Sequence, residues 1–194
     1  MKKYFADGLL IVFSVLFALL INKLYTDYQT NQKKEFALRS IKQELEQNLA
    51  IVQTWKERHS AIRDKLSQVN EGKTDTLKQQ LQQYPFFNFG VLTNGQSLIN
   101  EIMINTAWET SKTTGIISEF DFKTTEKLTY VYLMQEVITD RTITNILDLY
   151  FDMETHKIEN LDPVLIQFEL RFGELAGQEY LLEHLYEDAI SQLN

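Results

Sequence analysis

The chain has 194 residues, a net charge of −8 and no cysteine, with only seven glycines and two prolines. A hydrophobic share of 44% is enough for a packed core, and the scarcity of breakers favours long helices over strands and turns. Missing cysteine excludes disulfides, thiolate metal sites and cysteine nucleophiles. Charge is uneven, with 11 Lys/Arg against 8 Asp/Glu in residues 1–72 and 8 against 19 in residues 73–194. The acidic distal half argues against nucleic acid, whose affinity rests on clustered Lys and Arg.

The first element is a membrane anchor, residues 1–25. Met1-Lys2-Lys3 precedes an uncharged run from Gly8 to Ile21, and extension to Tyr4 and Tyr25 brings the segment to spanning length. Lys23 can snorkel, and Tyr4, Tyr25 and Tyr28 suit the headgroup belt. A cleaved signal peptide would need a small-x-small site, but Asn22-Lys23-Leu24 follows instead. A soluble core helix would show a polar face, and this run has none. Asp7, about one turn from the end, reads as a solvated residue that suits the helix dipole. Lys2 and Lys3 favour a cytoplasmic N-terminus and an extracytoplasmic bulk on a single-pass protein.

Residues 26–72 read as a coiled-coil-like stalk. From Leu9 to Glu71 there is neither Gly nor Pro, and the pattern predicts helix with a break near Thr26–Gln32, where propensity falls. Leu38, Ile41, Leu45, Asn48, Val52, Trp55, His59, Ile62, Leu66 and Val69 then alternate in steps of three and four, an a/d seam. The seam fits an oligomeric coiled coil and an intramolecular bundle equally. Asn48 is expected to fix register, and His59 reads as a core or surface histidine rather than a ligand.

Residues 73–194 are expected to form an acidic helical bundle. Thr74 or Asp75 can cap a short helix to about Tyr84, ended by Pro85. The aromatics Phe86, Phe87 and Phe89 then read as a small core lid, with a partner-contact patch as the second reading. A further helix is predicted from near Asn94 to Gly115 and a long one from about Phe122 to Thr155, with Gln135 on its apolar stripe. Asp162-Pro163 marks the start of a last helix to about Leu193, in which Gly173 and Gly177 suggest a bend or a tight crossing.

Catalytic signatures are missing: there is no phosphate-cradling loop, HExxH or GxSxG. His59, His156 and His184 each lack a Glu three residues before them, so no di-metal motif forms, and Glu183/His184/Glu187 reads as a solvated face. No cofactor or metal is expected, and the chain reads as non-enzymatic.

Three segments carry a family resemblance: Leu16-Phe17-Ala18-Leu19-Leu20-Ile21-Asn22, the coil Ser40 to Leu49, and Thr106-Ala107-Trp108-Glu109-Thr110-Ser111-Lys112-Thr113-Thr114-Gly115. On these the chain resembles a group of uncharacterised bacterial membrane-anchored helical proteins. The resemblance implies bacterial origin and an anchor-plus-helices layout, and it carries no activity. Read physically, Trp108 is a structural keystone, Glu109 a capping or ion-pair residue, and Thr113-Thr114-Gly115 a helix end. The expected function is that of an accessory or scaffold protein in the lipid bilayer, acting as a homo-oligomer or within a larger membrane complex. The alternative is an extracytoplasmic sensory or ligand-binding bundle.

Overall fold

The computed structural model describes residues 2–193, with side chains from Gly8 onward. Expectations placed on Met1 and on the side chains of Lys2, Lys3, Tyr4 and Asp7 therefore lie outside the described residues. The fold is all-α, without a strand among the described residues.

One helix, α1, runs from Lys2 to Asn70. The expected break near Thr26–Gln32 is not there: the polar residues only lower propensity, and no Gly or Pro removes a hydrogen bond. α1 stops where Gly72, at a φ of +69°, allows the left-handed turn. Gly72 N donates to Val69 O at 3.0 Å and Lys73 N to Gln68 O at 2.9 Å, the paired bonds of a Schellman end.

The last helix, α7 (Leu161–Gln192), returns antiparallel along α1 and is its principal packing partner. Register is fixed by the seam of α1, where Ile41, Leu45, Asn48, Val52, Trp55, His59, Ile62 and Leu66 are all at most 2% exposed. α7 answers with its own alternation of threes and fours, running Leu161, Leu165, Phe168, Phe172, Leu175, Glu179, Leu182, Tyr186 and Ala189, all buried. The heptad seam thus closes inside one chain. Gly173 and Gly177 do not make a tight crossing, because a Cβ on either would meet nothing within 4 Å.

The third layer is α5 (Phe122–Glu136), which continues through a π-turn at Val137–Thr142 into α6 (Ile143–Phe151). Asp121 caps α5 by accepting from Thr124 N at 2.9 Å. The helix predicted to reach Thr155 ends at Phe151, and two short 3-10 turns lead to α7. The start of α7 lies at Leu161, with Asn160 rather than Asp162 in the cap position and Pro163 within the first turn.

Short elements close the bundle. α2 (Thr76–Gln82) and α3 (Phe89–Thr93) cover the end of α1. α4 (Thr106–Thr113) ends at Gly115, whose φ of +75° fulfils the expected helix stop. Of the helix expected from Asn94 to Gly115, only the part from Thr106 forms, as α4. Asn94 and Gly95 both adopt positive φ, at 54° and 74°, and the chain runs irregularly to Asn105.

Below the bundle, α1 stands alone. Its apolar stretch beginning at Gly8 is long and apolar enough to cross a membrane, and none of it is buried in the fold. The helix stays largely exposed up to Phe36, itself 67% exposed, with Thr30 and Lys34 half-buried, before Ala37 enters the core.

Candidate functional site

The most polar part of the interior lies where α1 meets the irregular 94–105 segment. Leu98 and Met103 of this segment are buried while most of its other residues face solvent, and a chain without helix or strand must find partners for the backbone groups that turn inward. Here α1 supplies them. Asn48, fully buried, accepts from Ile104 N through Oδ1 at 2.9 Å and donates from Nδ2 to Ile104 O at 2.6 Å. Arg58 donates to Ser97 O at 2.8 Å and also contacts the Asn100 side chain, while Lys65 reaches Asn94 Oδ1 at 3.2 Å.

Asn48 also anchors a network that crosses the core. Its Nδ2 donates to Gln135 Oε1 at 3.2 Å, and the Tyr186 hydroxyl donates to the same oxygen at 2.7 Å. Three helices are tied at one amide. Burial pushes the Tyr186 phenol well above its usual value, opposed by the Asn48 hydrogen bond, so it stays a neutral donor.

One turn below, the buried Glu44 receives the N-terminus of α4. Ala107 N donates to Oε2 at 2.7 Å, Trp108 N to Oε1 at 3.4 Å, and the Tyr132 hydroxyl to Oε1 at 2.6 Å. A carboxylate from another helix thus satisfies free N–H groups that α4 cannot pair itself, and opposes the positive end of its dipole. Trp108 stacks on Tyr132 with ring centroids 5.3 Å apart. Burial, then the Glu44 hydrogen bond, drives the Tyr132 phenol upward.

Higher on α1, His59 meets Glu179 of α7, and both side chains are fully buried. His59 Nε2 lies 3.1 Å from the Leu98 carbonyl, which only accepts, so Nε2 carries a proton. Nδ1 lies 2.5 Å from Glu179 Oε1, a separation that requires a second proton between them. The pair is neutral overall whichever partner holds that shared proton. Burial raises the Glu179 carboxyl above its usual range, with His59 opposing. Its second oxygen, Oε2, is buried without a hydrogen-bond partner among the described residues, which explains why burial dominates.

The expected site residues divide into three places. Asn48, Trp55 and His59 share the buried seam, and Trp108 joins them through Glu44 and Tyr132. Glu109 faces solvent in an ion pair with Lys112 at 2.6 Å, and Gly115 ends α4. Phe87 and Phe89 lie at the far end, Phe87 stacked on Phe168 at 5.1 Å and Phe89 tilted against it at 5.5 Å, while Phe86 is 47% exposed. Phe87 and Phe89 are thus core, and only Phe86 offers a surface.

Glu44, Tyr132, Gln135, Glu179 and Tyr186 complete the polar network without having been singled out as site residues. The signal for two of them lies in the spacing of α7, whose apolar seam is interrupted at Glu179 and Tyr186 as the α1 seam is at Asn48 and His59. Histidine, aspartate and glutamate form no metal-holding group of three or more among the described residues. His184 and Glu187 are both half exposed, as a solvated face predicts, whereas Glu183 turns inward to Lys56 and Gln53.

Between α1 and α4, on the side nearer the apolar segment, lies an open groove of about 1010 Å³. Phe36, Ala37, Ile104, Ala107 and Ile116 supply its apolar walls, and Lys33 and Glu119 its charges. Compared with protein-family models, with curated proteins and with solved structures, the chain has no match in any of the three.

Proposed function

We propose that this is a single-span accessory protein of a bacterial inner membrane, which holds a helical bundle outside the cytoplasm and acts by protein–protein association. The observation that carries the reading is the continuity of α1. The same unbroken helix is bare and apolar at one end and the central packing element of the bundle at the other. An anchor joined to its domain in this way fixes the height and orientation of the domain, which is what a scaffold requires. The anchor-plus-helices layout of the bacterial proteins that the chain resembles agrees with it.

A non-catalytic role is supported by where the titratable groups are. His59 and Glu179, the arrangement closest to an acid–base pair, have no exposed surface, and every hydrogen bond of the Asn48 network serves to hold backbone or another core side chain. Neither the imidazole nor the carboxylate of that pair is open to a substrate. A ligand-binding bundle is the second reading, favoured by the groove between α1 and α4.

Purification of the tagged protein from its native membrane in mild detergent, followed by the mass and composition of the product, tests the proposal. Co-purification of another membrane protein, or a defined homo-oligomer, is the expected result. A monomer with no stable neighbour overturns it, and a stoichiometric small molecule in that monomer establishes the second reading.

A further inference from the structure

The seam that could have served self-association is used up inside the chain, but α1 carries a second one. Starting at Gly8 and stepping alternately by four and three, the stripe passes Val12, Val15, Leu19, Asn22, Thr26 and Gln29 and continues through position 33 to Thr54. Apart from Lys33 it holds no charge, although charged residues crowd the neighbouring faces at Lys23, Asp27, Lys34, Arg39, Lys42 and Glu46. Every residue on the stripe is exposed except Ser40, which is half-buried. Its upper part, Phe36, Ser40, Gln43 and Gln47, lines the groove between α1 and α4.

We infer that this stripe and groove form the interface with a second copy of the chain, packed in parallel through α1. The inference rests on the membrane-anchor reading, because two copies anchored in one bilayer have parallel α1 helices at equal height. Residue i then faces residue i of the partner across a two-fold axis, and a stripe uncharged at every position but Lys33 is self-complementary under that operation everywhere else. Within the apolar segment the stripe is small or β-branched at Gly8, Val12 and Val15, which permits close helix approach, and Asn22 can pair with its own copy. Above it, the spacing of alternating threes and fours is that of a two-stranded coil.

Charge supports the same occupant. Lys33 and Glu119 both line the groove, yet neither has an ion-pair partner among the described residues. In that register Lys33 meets Lys33 of the second copy, and the Glu119 carboxylates, one on the groove wall of each copy, offset the two like charges. Phe36, 67% exposed in one copy, is covered by the same helix.

The chain has no cysteine, so a single introduced one reports on its own surroundings. Full-length Gln43→Cys and Gln47→Cys, co-expressed in two differently tagged forms and oxidised in native membranes, are expected to give mixed-tag disulfide dimers. Glu46→Cys, at the same height on the adjacent face, is expected to give at least about fivefold less. Adding Phe36→Glu to Gln47→Cys, with helicity checked by circular dichroism, is expected to abolish the dimer. Equal yields from positions 43, 46 and 47, or adducts only with a different protein, overturn the two-copy interface. If such adducts form, or another membrane protein still co-purifies, the accessory role stands while this inference falls.

Discussion

Asn48 and Ile104 exchange two hydrogen bonds, side-chain amide against backbone amide, 56 residues apart in sequence and inside the bundle. The geometry imitates one rung of a β-ladder with a side chain in place of a strand. It replaces the regular backbone pairing that the 94–105 segment lacks. Removing it leaves the Ile104 N–H without that partner and the Ile104 carbonyl with only the Gln135 amide, which donates to it at 3.3 Å.

Asn48→Ala is therefore expected to destabilise the bundle by about 2–3 kcal/mol, the range for stranding polar groups in an interior. Denaturant unfolding of the full chain in detergent, followed by circular dichroism, measures it. Limited proteolysis is expected to cut first between residues 94 and 105, and an unchanged cleavage pattern would contradict the clamp.

Glu44→Ala removes the foreign cap of α4 and the acceptor of Tyr132 together. A loss of about 2 kcal/mol is expected, since a helix N-terminus and a buried hydroxyl each lose a partner. In a Trp55→Phe background Trp108 is the sole tryptophan, and its emission is expected to move to the red as α4 loosens. Glu44→Gln, which keeps an acceptor oxygen, is expected to fall between the two.

The His59–Glu179 pair makes stability depend on pH with a definite sign. Burial raises the folded Glu179 carboxyl above its unfolded value, so the folded chain keeps a proton that the unfolded chain releases. The contribution is fully present below the unfolded carboxylate range and is lost as pH rises through the folded value. Lys56 and Arg58 of α1 pull the other way together with His59, and burial outweighs all three. Unfolding midpoints measured across that rise are expected to fall in the native chain and to flatten in Glu179→Gln. A native midpoint that climbs over the same interval would show that the pair is held as an ion pair with a depressed carboxyl instead.

Gly115→Val tests the end of α4. At a φ of +75° a β-branched residue is strained, and a cost of about 1–2 kcal/mol is expected in the same unfolding assay.

The seam of α1 was legible because burial follows the alternation of threes and fours. Of its ten positions only Leu38 is not buried, where the bundle begins. Less legible was the 94–105 segment. Ile99, Ile102 and Met103 have helical spacing, yet Ile102 is 79% exposed and the backbone is held by α1 instead. Spacing reports which side chains can share a face; it does not report that a distant asparagine and histidine offer the backbone another partner. The polar positions on an apolar seam, Asn48 and His59, were the trace of that competition. Their partners could not be named from sequence, because Ile104 and Leu98 take part through main-chain atoms that every residue shares.

The unbroken passage of α1 from its apolar end into the core has a mechanical consequence. From Ile21 to Asn70 the helix is about 75 Å long at 1.5 Å per residue, and it contains no joint. If the apolar segment spans a bilayer as proposed, a tilt to match a thinner one swings the whole bundle, and 10° of tilt carries the far end sideways by about 13 Å. Under that proposal membrane thickness would become a position, read at Phe86 and its neighbours on the distal tip.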